Sequence, residues 1–274
     1  DVWAMDVARY GDWATRGYAN AKVRENYSRR FQIVFPNEEL EAARGLRKTP
    51  VHERLKAQNA VFGATAGLEH ALWYAPPGTD PHEDITFRRS NAFEHVKAEC
   101  RAVREAVGLI EISSFAKYEV TGPDAEVWLS HLLANHMPKT GKMVLAPMLN
   151  PQGKLIGDFT VAKMDNERFY IFGGGVAEPY HMRWFEQHLP ESGVNVRALG
   201  LDLLGFSIAG PKSRELLSRL THLDISNEAF RFMSIREFDI GMLPALVGRI
   251  TFTGDLGYEI WVKAEYQLAL YDLL

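Results

Sequence analysis

The chain has 274 residues, of which 46% are hydrophobic and 24% charged, as in a folded globular protein that is larger than one average domain. The formal net charge of −4 provides neither a basic footprint for nucleic acid nor a polybasic patch for a membrane surface. No apolar run reaches the length of a membrane span, so none is predicted. Cys100 is the only cysteine, which excludes an intrachain disulfide and a cysteine-based metal cage.

The first 80 residues show little periodicity and are predicted to be the end of one domain and a linker. Residues 7–27 are expected to be helical, residues 31–35 to form a short strand and residues 40–46 another helical turn. The segment Ala75-Pro-Pro-Gly-Thr-Asp-Pro-His-Glu-Asp84 then excludes regular structure and marks a boundary. The predicted division is therefore 1–80 and 81–274. Because the chain starts without methionine and stops in a helical pattern, we expect a piece of a longer polypeptide.

A repeated pattern organises the rest of the chain. After a helix predicted over residues 91–107, residues 118–133 are echoed by residues 206–220, and each segment reads as a strand, a Gly-Pro pair and a helix that begins at the proline. A pair of strands and a further helix are predicted after each segment, at 157–163, 168–172 and 178–189, and at 245–253, 258–263 and 265–274. The pattern predicts an α+β fold of two related strand–helix–strand–strand, ferredoxin-like halves, with a pocket at their interface.

Three common kinds of site are not indicated. The run Phe169-Tyr-Ile-Phe-Gly-Gly-Gly-Val-Ala-Glu178 resembles part of a dinucleotide fingerprint, but Glu178 fills the third glycine position and the terminal acid is missing, so a tight strand-to-helix turn is our interpretation. The nine histidines include no HxH, HExxH or HxxxH pair, and His131 and His136 are interpreted as solvated or structural. No nucleophile elbow or Ser-His-acid triad is present.

Two carboxylates stand out because they interrupt predicted strands. Asp158 lies in the apolar run that follows an Asn-Pro-Gln-Gly hairpin turn, where an aspartate is costly to bury and needs a partner or a task. Glu259 lies in the strand Tyr-Glu-Ile-Trp-Val and is either solvent-exposed or an acceptor of paired N–H donors from a flat heterocycle. Asp124 at a helix start and Asp255 in a hairpin turn are interpreted as structural.

Three ordered motifs resemble the folate-binding aminomethyltransferase family, whose type member is the T-protein of the glycine cleavage system. The motifs are Gly108-Leu-Ile-Glu-Ile-Ser-Ser-Phe-Ala-Lys-Tyr-Glu-Val-Thr-Gly-Pro-Asp-Ala125, Met148-Leu-Asn-Pro-Gln-Gly-Lys-Leu-Ile-Gly-Asp158 and Arg249-Ile-Thr-Phe-Thr-Gly-Asp-Leu-Gly-Tyr-Glu-Ile260. This resemblance covers roughly residues 90–274. Upstream, residues 3–10, 27–36, 50–54 and 67–73 resemble the linker region of FAD-dependent dimethylglycine and sarcosine dehydrogenases and oxidases.

The resemblance implies that two domains of a longer protein catalyse successive steps. A flavin domain that binds FAD, and that this segment does not contain, oxidises an N-methyl amine. The present part joins the one-carbon unit to tetrahydrofolate and gives 5,10-methylenetetrahydrofolate. Asp158 matches the catalytic acid of the family, and Glu259 matches the acid that holds the pterin edge. The expected cofactor-binding residues are Glu259, Phe252, Tyr258, Arg249 and Leu145.

The chain departs from the family pattern at three positions. Phe252 and Leu145 occupy positions that usually hold tyrosine, and Glu111 stands where an aspartate is common. The small β-barrel of the family is expected to follow Leu274 and to be absent from this chain.

Other functions compatible with the sequence are a folate-dependent O- or S-demethylating methyltransferase, a stand-alone aminomethyltransferase and a non-catalytic folate-binding scaffold. The expected partner is a small methylamine substrate that acts through the flavin domain. An oligomer is compatible with the sequence, whereas nucleic acid, a membrane and a metal ion are not expected. The expected location is the bacterial cytoplasm or, in a eukaryote, the mitochondrial matrix.

Overall fold

The structure, a computed structural model, describes residues 6–274. Its N-terminal segment starts with a short 3₁₀ turn, Val7–Tyr10, and continues into helix α1 (Arg16–Ser28), which has no fully buried side chain. Helix α2 (His52–Ala57) leads into an antiparallel hairpin of β1 (Ala60–Thr65) and β2 (Leu68–Tyr74). This segment therefore contains regular structure only in short pieces.

The sequence predictions for residues 7–46 are largely wrong. The helix expected over residues 7–27 forms only over Arg16–Ser28, because the chain turns at Gly11 with a positive φ of 58°. Residues 31–35 form no strand, and Phe31 is 95% exposed, since no neighbouring strand is available to pair with this segment. Residues 40–46 form turns instead of a helix. Of the motif noted at residues 3–10, Trp3 to Met5 lie outside the described residues.

The first half is an antiparallel five-stranded sheet with two helices. It is preceded by helix α3 (Ala92–Glu105), which confirms the helix predicted over residues 91–107, and by strand β3 (Gly108–Glu111). The strand order of its sheet is β5-β6-β7-β4-β8. Its elements are β4 (Ala116–Thr121), α4 (Ala125–Leu132), β5 (Lys142–Leu149), β6 (Leu155–Lys163), β7 (Arg168–Gly173), α5 (Glu178–Gln187) and β8 (Asn195–Ala198).

The second half repeats this arrangement with one exchange of strands. Its sheet has the order β10-β11-β12-β9-β3, and the edge position that β8 holds in the first half is filled by β3, which precedes the first half in the chain. The two halves are thus interlocked through the backbone. The elements are β9 (Leu203–Ala209), α6 (Ser213–Ser218), β10 (Ile235–Ile240), β11 (Leu243–Gly248), β12 (Gly257–Lys263) and α7 (Ala264–Leu273).

The predicted α+β fold of two related halves is confirmed, with corrections to its details. Each half carries three strands after its first helix, because β10 pairs with β11 as β5 pairs with β6. The strand expected over residues 245–253 ends at Gly248, and residues 252–256 form turns. Both first helices begin two residues after the proline of the Gly-Pro pair, at Ala125 and Ser213.

The apolar core is divided into layers that follow the two sheets. In the first half, the sheet packs against α4 and α5 around Tyr118, Phe159 and Phe185. The second sheet packs against α6, α7 and also α2 and β1, so residues 51–62 of the N-terminal segment belong to the core of the second half. A third set of buried side chains comes from the opposite faces of both sheets. This inter-sheet cluster consists of Ile112, Met143, Ala162, Phe172, Ile235, Leu246 and Trp261.

Each sheet therefore buries one face against helices and turns the other toward its partner sheet. Within residues 6–274, the helices are all too short or too polar to span a bilayer.

Candidate functional site

The two acidic residues singled out in the sequence lie on the sheet faces that meet between the halves. In β6, side chains alternate, so Asp158 shares its face with Thr160 and with Ala162 of the inter-sheet cluster. In β12, Glu259 shares its face with Trp261 of the same cluster. The structure thus brings a carboxylate from each half to their common interface.

Asp158 is exposed, so the burial problem expected from the sequence does not arise. It pairs with Pro147 of β5, whereas β7 pairs with β6 only from Thr160 onward. The first part of β6 therefore extends beyond β7, and the Asp158 carboxylate is open on that side. It forms no hydrogen bond or ion pair with any residue in the described range, and it is free to contact a ligand.

The strand that carries Asp158 rests on a buried aromatic cluster. On its far face, Phe159 packs edge-on against His181 of α5, with ring centroids 4.7 Å apart. The Tyr118 hydroxyl lies 2.9 Å from His181 Nδ1. Burial lowers the pKa of His181 to about 4, against which a hydrogen bond to the Ile156 backbone acts. At neutral pH this imidazole is therefore uncharged and holds the backbone beside Asp158.

Glu259 has an environment opposite to that of Asp158. Burial between the sheets raises the pKa of its carboxyl to about 7, and a hydrogen bond with the Trp261 side chain acts in the other direction. Trp261 in turn stacks on Phe172 of the first half, with ring centroids 5.0 Å apart and an interplanar angle of 23°. Glu259 is thus held by an aromatic contact between the halves and titrates in the neutral range.

The remaining expected cofactor-binding residues fall into two groups. Leu145 is 58% exposed and lies opposite Thr160, on the same sheet face as Asp158. Phe252 is 95% exposed in the turn that follows β11. Leu145 therefore shares the sheet face of Asp158, whereas a folate contact by Phe252 remains a prediction.

Tyr258 and Arg249 are engaged elsewhere. Tyr258 is completely buried on the face of β12 opposite to Glu259, where it stacks on Phe230 and its hydroxyl accepts a hydrogen bond of 3.2 Å from Arg214 Nε. Arg249 Nη1 donates to the Phe230 carbonyl at 2.7 Å. Both side chains pack in the core of the second half, and a folate contact by either residue remains a prediction.

Sequence reasoning missed the roles of the buried residues Lys117 and His181 and of the half-buried Glu178. Lys117 is 1% exposed although it lies in a strand, and it lines a cavity of about 310 Å³ together with Glu178. The available signal was a charged residue in an apolar strand, of the kind that identified Asp158. For His181 the signal was weaker: a histidine four residues before Phe185, on the apolar side of a helix.

The structure also limits the chemistry of the site. Among residues 6–274, no group of three or more His, Cys, Asp or Glu side chains has an arrangement that could hold a metal ion. Five cavities are prominent in this part of the chain, and neither Asp158 nor Glu259 lines any of them. We refer to the sheet faces that carry these two acids as the cleft.

Comparison with known proteins relates this geometry to a family. Residues 1–49 match the FAD dependent oxidoreductase central domain, and residues 51–274 match the GCVT N-terminal domain. The two matched ranges meet at residue 50, whereas the boundary predicted at 80–81 stays a prediction. The crystal structure of glycine cleavage system aminomethyltransferase T from Bartonella henselae has the same fold, with a TM-score of 0.68, 23% identity and coverage of 83% of this chain and 56% of that one.

Two curated relatives match over the whole chain. Human mitochondrial dimethylglycine dehydrogenase is 33% identical over 277 residues, which cover 100% of this chain and 32% of the relative. The formaldehyde-forming 4-methylaminobutanoate oxidase of Paenarthrobacter nicotinovorans is 35% identical over 276 residues, which cover 100% of this chain and 34% of the relative. The chain spans about a third of the length of these relatives. It has the fold of aminomethyltransferase T and belongs to the GCVT N-terminal domain family.

Proposed function

We propose that this chain is the one-carbon transfer part of an FAD-dependent N-methyl amine dehydrogenase or oxidase. In the full-length protein, the flavin part oxidises the amine, and the part described here passes the one-carbon unit to tetrahydrofolate. The observation that carries the proposal is the exposed Asp158 carboxylate, on a sheet face turned toward the half that carries Glu259. The names of both curated relatives, an N-methyl amine dehydrogenase and an oxidase, support the flavin part.

The side chains at the interface fit a folate acceptor in their donor and acceptor chemistry. A pterin ring presents neighbouring N–H donors, and the Glu259 carboxylate offers two parallel acceptor oxygens in a partly desolvated place. Leu145 provides exposed apolar surface for a flat ring on the same sheet face as Asp158. Tetrahydrofolate, when bound, would supply the nitrogen atoms that accept the carbon.

Asp158 is the residue that we assign to proton handling. Its carboxylate oxygens are free of protein partners among the described residues, so they can orient the incoming amine and hold the proton that the acceptor nitrogen loses. A negative charge at this point also stabilises the positive charge of the iminium. His181 and Tyr118 support the strand from behind and do not face the cleft.

The decisive experiment compares the full-length wild-type protein with its Asp158→Asn variant, which keeps the shape of the side chain. We expect flavin reduction by the methylamine to be unchanged, because Asp158 is not in the flavin part. The formation of 5,10-methylenetetrahydrofolate should fall about 100-fold, and free formaldehyde should rise by a matching amount. Both products are measured in the same reaction mixture.

The matched control is Asp239→Asn, which changes an exposed aspartate in the edge strand β10. It should leave both product yields at the wild-type level. An Asp158→Asn variant with a normal yield of 5,10-methylenetetrahydrofolate would refute the role assigned to Asp158.

A second candidate follows from the relative whose name describes it as formaldehyde-forming. In that case the chain serves as a scaffold that does not capture the one-carbon unit. The wild-type protein would then release the same amount of formaldehyde with and without tetrahydrofolate, and this outcome separates the two candidates.

The cellular location is also inferred from a relative. In a eukaryote we propose a mitochondrial location, since the human relative is mitochondrial.

A further inference from the structure

A second site lies away from the cleft of Asp158 and Glu259, where the N-terminal segment meets the first half. It is the cavity of about 310 Å³ between the start of β4, the turn before α5 and residues 9–13 and 65–68. We call it the strap cavity. Its walls include Trp13, Arg47, Phe115, Lys117, Gly175 and Glu178.

Lys117 is the first unusual feature of this cavity. Its side chain is buried to 99%, with 1% exposed, yet it forms no ion pair with a described residue. Its ammonium group donates one hydrogen bond, of 2.7 Å, to the Ser113 carbonyl and lies 5.7 Å from the centroid of the Trp261 ring. An ammonium carries three donors, so two of them have no protein acceptor. A buried cation without a carboxylate partner destabilises the folded protein, so a function is expected for it.

Glu178 is the second unusual feature. It is the first residue of α5 and faces the same cavity, and it forms no hydrogen bond or ion pair within the described part of the chain. Burial raises the pKa of its carboxyl, while the charges of Lys117 and Arg47 act against that shift. The start of a helix favours a negative charge at this position.

The turn before α5 determines this arrangement. A Cβ atom at Gly175 would lie 1.8 Å from the Ser114 carbonyl oxygen, so only glycine allows the turn to pack against the start of β4. This close approach places Glu178 on the same cavity as Lys117. The glycine run that resembled part of a dinucleotide fingerprint thus serves to bring two opposite charges to one small space.

Five charged side chains line the cavity, but Arg9 and Arg47 donate to the backbone carbonyls of Asp6 and Ala66, and Asp12 is exposed. Lys117 and Glu178 face the same cavity without forming an ion pair, so a gap separates them. A ligand that carried only a negative charge would leave Glu178 unpaired, and a ligand that carried only a positive charge would leave Lys117 unpaired. A molecule with both charges satisfies both residues. A volume of 310 Å³ corresponds to about ten water molecules and accommodates a small amino acid.

We propose that the strap cavity binds a small zwitterionic amino acid. Its carboxylate contacts the Lys117 ammonium, assisted by the Arg47 guanidinium, and its ammonium contacts the Glu178 carboxylate. The cavity is separate from the cleft, since neither Asp158 nor Leu145 lines it. The inference therefore does not depend on the function proposed for the cleft.

Hydrogen exchange measured by mass spectrometry on the full-length protein tests this site locally. The probes are glycine and 4-aminobutanoate, each compared with acetate and with methylamine at the same concentration. We expect one or both amino acids to slow amide exchange about tenfold in peptides that cover residues 113–118 and 174–180, at about ten times the dissociation constant. Acetate and methylamine should have little effect, because each pairs only one of the two charges.

Two variants examine the contacts separately. Lys117→Met and Glu178→Gln should each abolish the protection by the amino acid, whereas Lys212→Met, which changes an exposed lysine beside α6, should retain it. Thermal unfolding of each variant shows whether the protein is folded. The proposal is overturned if neither amino acid protects these peptides, if acetate or methylamine protects them equally well, or if protection persists in the folded Lys117→Met or Glu178→Gln protein.

Discussion

At the scale of single residues, the two acids of the cleft differ because their surroundings differ. Asp158 is exposed at the free part of β6, whereas Glu259 is half-buried on the face of β12 that meets the first half, and burial raises the pKa of its carboxyl to about 7. An ionised Glu259 is therefore a cost to the folded protein at neutral pH. A carboxyl that faces an interface, and whose ionisation lowers the stability of the folded protein, is typical of a binding residue.

Because an ionised Glu259 destabilises the folded protein, the effect of Glu259→Gln on the free energy of unfolding should depend on pH. Between pH 4.5 and about 7, Glu259 is protonated in the folded protein but ionised in the unfolded chain. The contribution of this residue to the free energy of unfolding is therefore lost as the pH rises through that window. The variant should match the wild-type free energy of unfolding near pH 4.5. At pH 8 it should be more stable by up to about 3 kcal/mol. Urea unfolding at both pH values measures the difference.

The control for this prediction is Glu228→Gln, at an exposed position, which should show no such pH dependence. An equal difference between Glu259→Gln and wild type at both pH values would contradict the assigned environment.

At the scale of elements, the Gly-Pro repeat has a structural cause. Gly122 and Gly210 both have φ of 126°, and an added Cβ would lie 2.2 Å from the Gly193 carbonyl oxygen in the first half and 2.4 Å from the Val103 carbonyl oxygen in the second. The same turn thus connects strand and helix in each half. Only glycine satisfies both the dihedral angle and the close approach.

Alanine at either repeat glycine should therefore destabilise the protein strongly. We expect Gly210→Ala to lower the free energy of unfolding by about 3 kcal/mol, because strain in φ and contact with a backbone oxygen act together. Gly153→Ala is a matched control: its φ of 71° is also positive, but no atom lies within 4 Å of the added Cβ, and the loss should be about 1 kcal/mol. Equal losses in the two variants, measured by urea unfolding, would show that the close approach has no effect.

At the scale of the whole molecule, one buried glutamine joins three distant parts of the chain. Gln267 of α7 is completely buried, and its Nε2 donates to Glu111 Oε1 at 2.7 Å and to Ser113 Oγ at 2.9 Å. Its Oε1 accepts from the Val51 backbone N–H at 3.3 Å. The N-terminal segment, the link between the halves and the last helix are thus connected at one point.

Removing this connection should loosen the N-terminal segment. Gln267→Met keeps the volume but leaves the Val51 N–H without its acceptor and Glu111 Oε1 without its donor, at a cost of about 1–3 kcal/mol. Amide exchange in residues 51–57 should become faster than in wild type, and the exposed control Gln187→Met should leave it unchanged. Unchanged exchange in Gln267→Met would show that α2 is held by its apolar contacts alone.

Part of the fold and of the site followed from local patterns in the sequence. The Gly-Pro repeat predicted the two halves, because the turn and the strand and helix that flank it are properties of neighbouring residues. Strand β10 escaped notice because its Ile-Arg-Glu-Phe-Asp-Ile sequence is polar, as suits a strand at the edge of a sheet.

The sequence by itself determined the two related halves, the candidate acids Asp158 and Glu259 and the family that their motifs indicate. Only the tertiary structure decided that β3 completes the second sheet, that Asp158 lies in solvent and Glu259 between the sheets, and that Lys117 and Glu178 face one cavity. The physical reason is the range of the interactions. Alternation and turn chemistry act between neighbouring residues, whereas strand exchange, burial and the pairing of charges depend on contacts between segments far apart in the chain.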